Sequence, residues 1–139
     1  MRALVLGLAG IVAGCSQQSG DNTDTQATET VQPTYYQANI APLFQNACAT
    51  CHLTGTEAGN MSLVPARAIE NIVGVASTEA PGLVRVVPGK PDESYLVMKL
   101  EGTHVANGGT GAQMPFGAPP LPAEVIASVR TWIEQGAKP

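Results

Sequence analysis

The chain is short of large side chains. Six aromatic residues, Tyr35, Tyr36, Phe44, Tyr95, Phe116 and Trp132, serve 139 positions. A small domain with so few has trouble filling a core from its own side chains. Cationic residues are also few, seven Lys and Arg against eleven Asp and Glu. The formal net charge is −4, with no basic stripe, which excludes nucleic acid as a partner. Such an acidic surface either docks onto a basic patch of another protein or serves solubility. The longest apolar run, Ala3 to Val12, is too short to span a bilayer. Cysteine is limited to Cys15, Cys48 and Cys51. No internal repeat is present, and the length allows one domain.

Against this sparse background stands Cys48-Ala49-Thr50-Cys51-His52. A C-x-x-C-H run reads as an attachment site for c-type haem. Two thiols three positions apart on one helical turn can each add to a porphyrin vinyl group, and the adjacent imidazole reaches the iron as proximal ligand. A covalent porphyrin would also supply the missing apolar bulk. Three plainer readings compete. A zinc site needs further ligands, and the one other cysteine lies far upstream. A thioredoxin-like dithiol needs a βαβ context that is not visible. A structural disulfide, or a chance match, is the third.

Residues 1–14 read as a leader, with Arg2 ahead of the apolar run. It ends in Val12-Ala13-Gly14-Cys15, which looks like the lipobox of a bacterial lipoprotein. That likeness implies cleavage before Cys15, lipidation of Cys15 and a mature charge of −5 once Arg2 is lost. Multiple acyl chains give stable anchoring where one gives marginal binding. Residues 15–33 are rich in Ser, Gln, Thr, Asp and Asn. They cannot bury enough surface to offset their ordering entropy, and read as a tether with a reach of about 20–25 Å. The folded domain spans 34–139.

Within it, Tyr36, Ile40, Leu43, Phe44 and Ala47 fall at helical spacing. With Asn39 as N-cap the helix covers 39–48 and Pro42 sits in its first turn. With Thr34 and Gln37 as a capping box it is longer and kinked at Pro42. The first form is the expectation. A second helix is expected over Pro65 to Val75, with Ala66, Ile69, Ile72 and Val73 on one face. A turn-rich connection follows, with a short extended piece over Leu83 to Val87. A third helix is expected from Glu93 to Leu100, capped by Asp92 and closed by Gly102. The last begins with Pro122 at its first position, buries Val125, Ile126, Val129, Trp132 and Ile133, and ends at Gly136. These patterns make the fold all-α, as short helices joined by long loops.

A second axial ligand to the iron must come from elsewhere. Met114 is the first candidate, because Pro115 pushes it out of the helical region and onto a loop. The Gly108-Gly109-Thr110-Gly111 run before it lets the backbone pass close to a cofactor. Met61 and Met98 read as core fillers. His104 is the rival, although a lone loop histidine is most often solvent-exposed. Met/His ligation raises the potential relative to bis-His, and an open position would admit small ligands. His52 is expected to donate its second nitrogen to a backbone carbonyl, with Pro65 as acceptor. Trp132 reads as helix packing. Arg67 and Arg85 are candidates to pair with a propionate.

With these residues in view, the chain resembles class I c-type cytochromes, in particular small lipid-anchored bacterial monohaem domains. The matching pieces are the helix ending in Cys48-Ala49-Thr50-Cys51-His52, the run Pro88 to Leu96, and Met114-Pro115 with the closing helix carrying Arg130, Trp132 and Ile133. The resemblance implies a cytochrome c fold, with first and last helices crossing near one haem edge. It implies thioethers at Cys48 and Cys51, His52 proximal and Met114 distal. The Leu63–Pro91 segment and the Gly-rich lead-in to Met114 depart from the small ancestral pattern.

The expected function is one-electron transfer through one covalent haem c. It would take place in the periplasm, between unidentified donor and acceptor proteins, on a domain held to a membrane by lipidated Cys15. The alternatives are a haem enzyme or gas sensor with an open distal site, and a cytochrome subunit of a larger dehydrogenase complex.

Overall fold

The computed structural model describes residues 31–139. The leader, Cys15 and most of the expected tether lie outside them. The described chain is mostly helical, and its extended structure is limited to isolated bridges.

Helix α1 covers 36–48 as one rod of three segments, Tyr36–Ile40, Ala41–Leu43 and Phe44–Cys48. The first and third are π-helical, closed by bonds from the Ala41 N–H to the Tyr36 carbonyl and from the Ala49 N–H to the Phe44 carbonyl. Pro42 lies between them, and widened turns are one way a helix accommodates a residue without an N–H. The longer, proline-containing form is therefore the one adopted. Thr34 and Gln37 make the reciprocal capping box, at 3.1 and 3.2 Å. Asn39 is no cap; its side-chain amide donates back to the Tyr35 carbonyl.

Helix α2 covers Pro65–Ile72 and buries Ala68 and Ile72, with Ala66 exposed. It stops short of Val75 because Val73 turns extended and bridges to Val86. The expected extended piece is present as bridges Ala76 to Val84, Val73 to Val86 and Val84 to Ser94. A 3₁₀ turn over Pro91–Glu93 precedes helix α3, Tyr95–Glu101. Ser94, not Asp92, is the residue at its N-cap. The Asp92 carboxylate instead pairs with Arg130 of helix α4, Ala123–Glu134. Gly102 closes α3 at φ +78°, a conformation that disfavours a side chain, and a Cβ there would lie 2.8 Å from Gln113. Pro122 stands at the N-cap position of α4, one residue before the first helical position expected for it, and makes no side-chain capping bond.

The core gathers where α1 meets α4. Tyr36, Phe44 and Trp132 pack with ring centroids 5.7–6.3 Å apart, two of the pairs edge-on. Ile40, Val129 and Ile133 are fully buried around them. The Pro88-Gly89 turn is fastened to the end of α4 by a 2.7 Å bond from the Gly89 N–H to the Ile133 carbonyl. The Trp132 indole donates to the Lys138 carbonyl at 2.8 Å. Trp132 is thus a packing residue with a satisfied N–H. No helix among the described residues is long and apolar enough to cross a membrane.

Candidate cofactor site

The end of α1 delivers the motif. Cys48 is its last residue, and the Cys51 and His52 amides fold back onto the Cys48 carbonyl at 3.2 and 3.0 Å. Cys48 is half-buried and Cys51 exposed, both as free thiols. Burial, with a smaller contribution from neighbouring Cys51, pushes the Cys48 pKa up to about 11. Its thiol is therefore protonated at neutral pH.

His52 is buried at 6% exposure, and its Nδ1 has no hydrogen-bond partner. Burial lowers its pKa, opposed by the nearby Ala58 backbone and by the charges of Glu57 and Glu79, so the ring is held neutral. The expected bond to Pro65 is absent, and the Pro65 carbonyl accepts from the Tyr36 hydroxyl at 2.7 Å. An unpaired buried imidazole nitrogen is costly, and the Nδ1 of His104, which does not line the cavity described below, is unpaired as well.

Beside these residues lies a cavity of about 710 Å³, within the range of small-molecule and cofactor sites. Cys48, Cys51, His52 and Met114 all line it. Four residues separated by up to sixty-six positions are thereby brought to one space. Pro115, Phe116 and Leu121 add apolar wall, and Phe116 is exposed. The Met114–Pro115 peptide is cis, and the Met114 N–H is held by the Lys99 carbonyl at 3.0 Å.

Several assignments change. Met61 packs against the core that contains Leu63, as expected, and also lines the cavity. Its Cε and the His52 Cε1 both lie within 4.0 Å of the point where a Gly59 Cβ would stand, so it sits beside the imidazole. Met98 is buried against Ala80 and Tyr95, away from the cavity. His104 is neither exposed nor a lining residue. It is 3% exposed, and its Nε2 is 3.0 Å from the Gly111 carbonyl. Arg67 is exposed and paired with Glu70. Arg85 lines the cavity, buried, and donates to the carbonyls of Asn71, Gly59 and Asn60 at 2.7, 2.6 and 3.3 Å.

Two charged residues at the cavity have no counterpart in the sequence expectations. Lys99 is buried and forms a 3.2 Å ion pair with Glu79. The one signal for Lys99 is its place four residues after Tyr95, between Met98 and Leu100, on a largely apolar helix. Glu79 sits in a turn-rich segment and carries no signal. Among the described residues, no three His, Cys, Asp or Glu side chains converge as a bare metal site would require. No family model matches the chain, and no curated protein or solved structure matches it.

Proposed function

We propose that the protein is a monohaem c-type cytochrome of class I fold that carries single electrons. The observation that supports this reading is the meeting of Cys48, Cys51, His52 and Met114 at one largely apolar cavity of about 710 Å³. A bound haem would supply one reversible ferric/ferrous step; the chain needs no acid or base for it.

Each residue has a part in that reading. Cys48 and Cys51 would hold the porphyrin through thioethers, His52 would present a neutral imidazole to the iron, and Met114 would offer it a thioether sulfur. Ile72, Leu63, Leu100 and Leu121 keep water from the site. Arg85 is the cation available to an anionic edge of the cofactor, since it lines the cavity and Arg67 does not. Exposed Phe116 at the rim marks an apolar place for a redox partner to approach. The domain is proposed to be periplasmic, tethered through residues 15–33 and anchored by lipid on Cys15. On this proposal, replacing Cys15 with Ser moves the protein from the membrane to the soluble fraction.

The deciding experiment is Met114→Ala in haem-loaded protein. Loss of the weak near-red Met–iron absorbance, with new binding of exogenous ligands, is the expected result. An unchanged spectrum refutes Met114 as ligand. A protein that carries no covalent haem after expression with a haem-attachment system refutes the whole reading.

A further inference from the structure

The stretch 110–114, which ends at Met114, is held at both ends by Lys99. The Lys99 carbonyl accepts from the Met114 N–H at 3.0 Å, and its ammonium donates to the Thr110 carbonyl at 3.1 Å. Glu79 supports the same grip from another part of the chain. Its carboxylate is 3.2 Å from the Lys99 ammonium, and its carbonyl accepts from the Thr110 hydroxyl at 3.2 Å. The Tyr95 hydroxyl is 3.4 Å from both the Glu79 carboxylate and the Thr110 carbonyl. The Tyr95 ring also closes on Gly109, where a Cβ would come within 2.6 Å.

This arrangement is costly to build. A lysine at 7% side-chain exposure loses most of its hydration, and a buried ion pair is weak evidence for stability in itself. An apolar residue on α3 would pack there without that penalty. What the pair achieves is directional: the Lys99 ammonium, held by Glu79, donates to the Thr110 carbonyl, while the backbone carbonyls of Lys99 and Glu79 accept from the Met114 N–H and the Thr110 hydroxyl. Both side chains also line the cavity into which Met114 is set.

We infer that Lys99 and Glu79 are positioning residues that latch the 110–114 loop to α3 and so control how readily the Met114 thioether is displaced. The inference rests on the proposed role of Met114 as a haem ligand. Neither residue touches the iron; they act through the backbone that carries the ligand.

The test uses haem-loaded, full-length protein with imidazole as the probe. Lys99→Met keeps length and apolar bulk but removes the ammonium. Glu79→Gln removes only the countercharge and covers the case in which the lysine variant does not fold. The expected result is imidazole binding to the ferric protein at least tenfold faster or tighter than in wild type, with near-red absorbance still present in its absence. Amide exchange supplies a readout independent of the iron. Protection at Met114 should fall at least tenfold in either variant while Val129 in α4 is unchanged. Imidazole binding within twofold of wild type, or protection lost equally at Val129, overturns the latch. Wild-type loaded protein without the near-red absorbance instead overturns Met114 ligation itself, and the latch with it.

Discussion

Arg85 donates to the Gly59 carbonyl at 2.6 Å, joining residues twenty-six positions apart in sequence. The same guanidinium reaches Asn71 and Asn60, so one buried cation fastens the loop after the C-x-x-C-H motif to the end of α2. A planar fork of fixed donors suits several carbonyls at once, which a lysine cannot imitate.

Arg85→Leu is expected to destabilise the domain by about 2–4 kcal/mol, because charged hydrogen bonds are lost and buried carbonyls are left unpaired. Arg85→Lys should recover only part of the loss. Urea unfolding of the three proteins measures it, and a change within experimental error for Arg85→Leu would show that the loop does not depend on this residue.

Acid should loosen the same loop through Glu57. The carboxylate is held down to about 2, from an ordinary 4.5, first by its own backbone N–H and then by Thr54 and Gly55. The amides of Thr54 and Gly55 and the Thr54 hydroxyl lie 2.9–3.0 Å from its oxygens. The folded pKa is the lower one, so the unfolded chain binds more protons between the two values. The contribution is in place above pH 4.5 and is lost as pH falls towards 2. Glu57→Gln should be less stable than wild type at neutral pH, with the gap closing across that window in paired urea titrations. A gap that stays constant with pH would rule the carboxylate out as the cause.

The two free thiols of the motif should differ in reactivity. Cys51 is exposed, whereas Cys48 is half-buried with its pKa pushed up to about 11. Thiolate is the reactive form. Iodoacetamide at neutral pH should label Cys51 at least tenfold faster, as followed by peptide mass spectrometry. Equal rates would mean that α1 does not shield Cys48 as described.

How far the sequence foretold this arrangement depends on range. The motif, the apolar face of α4 and the closure of α3 at Gly102 rest on local spacing and local backbone preference, and they were legible. Met114 was singled out by Pro115 and the glycines before it, and it does reach the cavity with Cys48, Cys51 and His52. The start of α1 was misjudged because Pro42 argued for a first-turn position, while widened turns let it lie inside. Asp92 has the chemistry of a cap, but Arg130, thirty-eight residues away, takes its carboxylate. The burial of His104 is not legible in the sequence, because nothing local shows that its Nε2 meets the Gly111 carbonyl. The Lys99–Glu79 pair was invisible for the same reason: a buried charge becomes sensible only when its distant partner is known.

Trp132 is the one tryptophan in the chain, and it is 1% exposed between Tyr36 and Phe44. The tryptophan fluorescence of the protein therefore has a single origin, at the crossing of α1 and α4. A red shift of that emission during unfolding dates the parting of these two helices, while hydrogen exchange at Met114 dates the release of the loop that carries it. Comparing the two would tell whether the helix crossing and the methionine loop come apart together or in turn.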